Sequence, residues 1–153
     1  MIQLSKSSLL THREIVSLIP HAGKMCLLDE VRQWDEKQIH CTARSHRDRE
    51  NPLRANDSLS VLVGVEYAAQ AMALHGGLLL RSKDTAAAER LPVGRLVSVR
   101  NLSCCVDRLD DIDEALEIHA QRIAGDDQNL LYAFSIQAIQ KTLLEGRVSV
   151  LIS

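Results

Sequence analysis

The sequence predicts an α+β chain in which an antiparallel β-sheet wraps one long central helix. The first observation is the stretch from Leu59 to Leu80, whose apolar residues occupy every side of the helical wheel, with Glu66, Gln70 and His75 in its middle. A helix patterned this way lies inside a core or a membrane rather than on a surface. The second is the two-residue alternation in Leu116-Glu-Ile118-His-Ala120-Gln and in Tyr132-Ala-Phe134-Ser-Ile136-Gln, which buries one face of each strand and wets the other. The third is their order: two short strands, the helix, then a strand-rich half. An antiparallel meander curls by its own twist, and the apolar helix is what it can enclose.

The chain has 153 residues, which predicts one domain, 1–153, with a single core. A net charge of -2 from 18 basic and 20 acidic residues gives no general electrostatic case for nucleic acid or an anionic membrane. Aromatic residues make up 3%, too few for a base-stacking platform. At about 33 Å the helix could cross a bilayer. Glu66, Gln70, His75 and the glycines among them make a membrane span costly, so none is expected. Cys26, Cys41, Cys104 and Cys105 lack zinc-type pairing, and Met1 to Lys6 contains no export core, which predicts a cytoplasmic protein with free thiols. Cys104 and Cys105, neighbours on a strand, are expected to pack on opposite faces.

In chain order, Thr11 to Leu18 predicts a short helix, with Thr11 as N-cap, Glu14 closing a capping box and Pro20 ending it. A turn-forming run then leads through His21 into two strands, Leu27 to Trp34 and Gln38 to Ala43, joined by Asp35-Glu36-Lys37. Arg44 to Asp57 is polar, charged and broken by Pro52, a loop feeding the helix, which Asp57 or Ser58 would cap. Arg81 to Arg90 reads as an exposed connection. A long strand follows through Val97, Val99, Leu102 and Cys104, then Ala115 to Ile123, Leu130 to Ala138 and Arg147 to Ile152. Turns are expected at Gly125 to Asn129 and at Leu144-Glu145-Gly146.

Two motifs narrow this plan. Ile19-Pro20-His21-Ala22-Gly23-Lys24-Met25-Cys26-Leu27-Leu28-Asp29-Glu30-Val31 resembles the leucine-proline-histidine segment, followed by leucine, aspartate and valine, that opens 3-hydroxyacyl dehydratases acting on acyl carrier protein. Gly64-Val65-Glu66-Tyr67-Ala68-Ala69-Gln70-Ala71 is similar to the part of their central helix where an acidic residue is followed four positions later by Gln. Continued through Met72, His75 and Gly76, the string is similar to the predicted dehydratases found with aryl-polyene pigment synthesis. The order of elements matches the hot-dog fold of that family.

The resemblance implies dehydration of 3-hydroxyacyl thioesters held on the phosphopantetheine of acyl carrier protein, in fatty-acid-like or polyene biosynthesis. It implies no metal or redox cofactor, and assembly as at least a dimer, either a homodimer or a heteromer with another hot-dog subunit. Such a reaction needs a base, an acid and donors for the thioester oxygen. Glu66 is the expected acid or proton shuttle, its pKa raised by burial on an apolar helix. Gln70, one turn later, would orient it, and free N–H groups at the helix start would face the oxygen. The family's catalytic His falls by spacing on Pro52 and Leu53, so it is missing here, and Ser60 and Val61 replace the proline-glycine pair that opens the family's helix. His46, in the loop leading to the helix, is the first replacement candidate and His21 the second; His75, on the far side of the helix, reads as structural. Gln70, Gly64, Pro52 and Leu53 are expected at the substrate, and Arg44, Arg47, Arg49 and Arg54 as the landing place of the acidic carrier. Two other functions compete. The missing His favours a non-catalytic hot-dog subunit that binds carrier protein or completes a heteromeric dehydratase, and a carboxylate that activates water would give an acyl thioesterase.

Overall fold

The computed structural model describes residues 10–21, 23–83, 94–126 and 128–152. Helix α1, His12–Leu18, begins as its sequence dictates: Thr11 Oγ1 accepts from the Glu14 amide, and the Glu14 carboxylate accepts from the Thr11 amide. Strands β1, Glu30–Trp34, and β2, Gln38–Ala43, form the expected hairpin. Its turn is held by the Asp35 carboxylate, which accepts from the amides of Lys37 and Gln38 at 2.8 and 3.1 Å. The first strand starts later than predicted, because the Leu27 amide donates to a side chain, Gln70 Oε1, rather than to a strand ladder.

The helix start also differs. Asn56 and Asp57 both take left-handed φ values, 52° and 61°, conformations that Asn and Asp tolerate better than most residues. They form a tight turn between Ala55 and Ser58. Neither Asp57 nor Ser58 therefore caps the helix. Ser60 does, its Oγ accepting from the Leu62 amide at 3.2 Å. A single 3₁₀ turn, Val61–Val63, then runs into α2, Gly64–Lys83.

The second half supplies β3, Gly94–Cys104, β4, Leu116–Gly125, β5, Asn129–Ala138, and β6, Lys141–Ile152. Together the strands make one antiparallel sheet in the order β1-β2-β4-β5-β6-β3. The turn expected at Leu144-Glu145-Gly146 is instead part of β6. A Cβ on Gly146 would lie 3.2 Å from Leu102 Cδ1 and 3.3 Å from both Arg100 O and Phe134 Cε1, so this glycine marks a close approach within the sheet. The reversal falls on Ile139 and Gln140, both at positive φ, as two-residue hairpin loops require. Most of the predicted Arg81 to Arg90 connection lies outside the described residues.

The inward faces of β2, β4 and β5, including Ile39, Cys41, Leu116, Ile118, Tyr132, Phe134 and Ile136, join Tyr67, Ala68, Ala71, Met72, Leu74 and Leu78 of α2 in one buried cluster. The sheet covers α2 on one side only. Leu62, just before it, and Ala73 and Gly76 within it are exposed, with Glu66 and Ala69 half-buried between them. At spacings of three and four, these residues form an uncovered stripe. Strand β3 is exposed along nearly its whole length at the sheet edge. Cys104 and Cys105 are consequently exposed rather than packed, whereas Cys26 and Cys41 are buried. Among the described residues, no helix is long and apolar enough to cross a membrane.

Candidate active site

The site is assembled by Gln70. Fully buried on α2, it accepts from the Leu27 amide at 2.9 Å and donates through Nε2 to Met25 O at 2.8 Å and to Glu66 Oε1 at 3.3 Å. One amide thus fixes the segment after His21 against the helix and holds the carboxylate one turn back. A second chain of bonds reinforces the same strap. Asn51 Nδ2 donates to the Tyr67 hydroxyl (3.1 Å), which bonds Ser45 Oγ (2.8 Å), which donates to Leu27 O (2.7 Å). Burial pushes the Tyr67 phenol's pKa up, keeping it a neutral link.

The result is that His21 Nε2 stands 3.1 Å from Glu66 Oε1, with the two side chains 27% and 33% exposed. Glu66 is thus only partly buried in the chain alone, so full desolvation is not available from this chain's own atoms. His21 Nδ1 is buried and makes no hydrogen bond. Of the two ring nitrogens, it is Nε2 that faces the Glu66 carboxylate. An imidazole and a carboxyl at this distance can share one proton, so that one accepts while the other donates.

His46 is placed otherwise. It is fully buried, its Nε2 lies 2.9 Å from Ile112 O, and burial lowers its pKa. In this position it braces the loop and is closed to a substrate. His75 is also buried, bonded through Nδ1 to the Tyr132 hydroxyl and through Nε2 to Asp35 O, each at 2.7 Å. It ties α2 to β5 and to the β1–β2 turn. Gly64 packs on the sheet: a Cβ there would fall 2.6 Å from Leu144 Cδ2 and 3.3 Å from Ile136 Cγ1. Pro52 is exposed, and Leu53 packs partly against the core while its amide donates to Asn51 Oδ1. Asn51 and Tyr67 are positioning residues that the sequence reading missed. The signal available was a Tyr beside Glu66 on a buried helix, whose hydroxyl had to find a partner.

The amides at the helix start are already used. Val61 N donates to Asp107 O, Leu62 N to Ser60 Oγ, Val63 N to Ser60 O, and Gly64 N to Val61 O and Leu62 O. Of the loop arginines, Arg47 pairs with Asp113 at 3.1 Å, and Arg54 with Asp57 at 3.2 Å and Asp110 at 3.8 Å. Arg44 and Arg49 are exposed. Two concavities of about 280 and 290 Å³, one along β5 and β6 beside Val97 and one around Ile112, Ile139 and Leu143, are lined by neither His21 nor Glu66.

Comparison with known proteins places the chain in a family. Similar solved structures include the dehydratase heterocomplex ApeI:P from Xenorhabdus doucetiae, with a TM-score of 0.78 and 22% identity, covering 91% of this chain and 90% of that one. The thioesterase HI1161 from Haemophilus influenzae gives 0.63 at 14% identity, covering 100% and 95%. An HP0420 homologue from Helicobacter felis gives 0.61 at 11% identity, covering 92% and 88%. At these identities the likeness establishes the hot-dog fold. No curated protein matches the chain in sequence. Residues 13–153, however, match the ApeP-like family, described as ApeP dehydratase. That span includes the histidine segment, the Glu66–Gln70 helix and every strand of the sheet, and the chain belongs to the ApeP-like family of hot-dog dehydratases.

Proposed function

We propose that this chain is the acid–base subunit of a cytoplasmic hot-dog heteromer that dehydrates 3-hydroxyacyl thioesters carried on acyl carrier protein. The observation that carries the reading is the 3.1 Å contact between His21 Nε2 and Glu66 Oε1. In the reaction His21 Nε2 takes the proton beside the thioester carbonyl and protonated Glu66 gives one to the departing hydroxyl, leaving an α,β-unsaturated thioester and water. Gln70 acts through Glu66 and touches no substrate. Because the amides from Val61 to Gly64 are occupied, the donor for the thioester oxygen comes from elsewhere, and a second subunit can supply it.

Two features support a heteromer. The uncovered α2 stripe beside Glu66 and the exposed edge strand β3 both need a covering, and the similar ApeI:P structure is described as a heterocomplex. The carrier would approach over the loop that holds Arg44 and Arg49. The test is to present a 3-hydroxyacyl carrier protein to the chain alone and to the chain mixed with a hot-dog dehydratase partner, followed by mass spectrometry. Loss of water in the mixture that vanishes with Glu66→Gln is expected. Water loss in the mixture that ignores both Glu66 and His21 would make this subunit a non-catalytic partner, and release of free acid would make it a thioesterase.

A further inference from the structure

On the face of the sheet turned away from α2, His40 of β2 lies directly opposite His119 of β4 in the antiparallel register. Glu117, two residues before His119, projects from the same face, since the alternating residues Ile118 and Ala120 point into the core. We propose that His40, Glu117 and His119 form a binding site for a divalent transition metal of the zinc type.

The donor atoms of the three side chains all lie within 4.8 Å of one another. His40 Nε2 is 3.3 Å from Glu117 Oε1, yet it is buried and lacks a well-formed hydrogen bond. Buried polar atoms are rarely left so, and each instance calls for an explanation such as an ion. Two imidazoles and one carboxylate, with a fourth position open to water, are a standard zinc ligand set. Both rings sit on paired strands within the sheet, a rigid support for a site. Burial lowers the pKa of both imidazoles, so each offers a lone pair at neutral pH, with Arg32 the cation that also bears on His40.

The two rings stack, centroids 4.1 Å apart and planes at 14°. A tetrahedral ion with bonds of about 2.0–2.1 Å needs its nitrogens about 3.3 Å apart, so loading must splay the rings and draw the donor atoms together. The metal would cross-link β2 to β4 and has no part in the dehydration.

The experiment is a Zn²⁺ titration of the tag-free, chelator-stripped full chain by calorimetry, with Co²⁺ absorption reporting the coordination. One ion per chain is expected, raising the melting temperature. His40→Ala and His119→Ala should each weaken binding by at least about tenfold, the smallest loss that even a supporting partner of a metal ligand shows, and should remove the thermal shift. His→Gln variants provide the same reading where an alanine variant does not fold. Absence of stoichiometric binding overturns the proposal. So does binding that survives His40→Ala/His119→Ala, or that is lost instead with Cys104→Ser/Cys105→Ser or His21→Ala.

Discussion

Changing Glu66 to Gln keeps the side chain's length and its contacts with His21 and Gln70 but removes its capacity to pass a proton. Glu66→Gln should therefore abolish dehydration by the assembled complex while leaving the chain's denaturant midpoint unchanged. His21→Ala should slow turnover by about 10²- to 10⁴-fold, the usual worth of one general acid or base. His46→Ala should do the reverse. It removes a fully buried side chain and leaves the part-buried Ile112 O without its partner, costing about 1–3 kcal/mol of stability, with turnover per folded molecule unchanged. Kinetics and unfolding measured on the same three preparations separate the two histidines. The Glu66–Gln70 contact was legible in the sequence because four residues on a helix always bring side chains together. The pairing of His21 with Glu66 was not, since it exists only after Gln70 has bonded Met25 O and the Leu27 amide, contacts between distant segments that no local pattern encodes.

The same division holds for elements. The Thr11–Glu14 capping box and the β1–β2 turn follow from neighbouring residues, and both form where the sequence puts them, although β1 begins at Glu30 rather than Leu27. The β5–β6 turn escaped notice because Ile139 and Gln140 are poor candidates for left-handed backbone, while Gly146, the apparent turn signal, is required by the close packing of β3, β5 and β6. Gly64 likewise serves contact between α2 and the sheet. Gly64→Ala should cost about 1–3 kcal/mol, as overpacked cores do, because its Cβ meets Leu144; unfolding with and without Leu144→Ala checks this, relief by the second change being expected. A pH effect belongs to this scale too. Burial lowers the pKa of His46 and of His75 below the ordinary 6.5, so as pH falls the unfolded chain binds their protons first. Stability from these groups is fully present above 6.5 and declines as pH drops below it toward the folded values. Urea midpoints should be flat from about pH 8 to 7 and fall from there to pH 5. His75→Gln should show a lower midpoint at pH 8 and a shallower fall.

At the scale of the whole molecule, β3 is legible as a strand from its residues, but its exposure is not. Val97 and Val99 lie on the expected strand, yet they are 63% and 40% exposed, beside Leu96 and Leu102 at 41% and 39%. Length and alternation reveal a strand; whether a second layer covers it depends on tertiary position, and β3 lies at the end of the sheet order. An exposed apolar edge with unpaired backbone groups invites another chain. Under the heteromer reading a partner hot-dog subunit adds its own edge to β3, and the interface must reach roughly 1,200–2,000 Å² to be specific and stable. Val97 sits where the β3–β6 register shifts, between Leu96 and Ser98, so a charge there meets the partner without breaking a paired position in this chain. Val97→Lys should leave the isolated chain's stability within about 0.5 kcal/mol, as exposed substitutions usually do, yet prevent complex formation in sedimentation and remove dehydration of the mixture. Leu62→Ser, on the α2 stripe near Glu66, should weaken the same complex by a separate contact. If Val97→Lys sediments with its partner as the native chain does, β3 is not the joint, and the covering of the site must be sought along α2 alone.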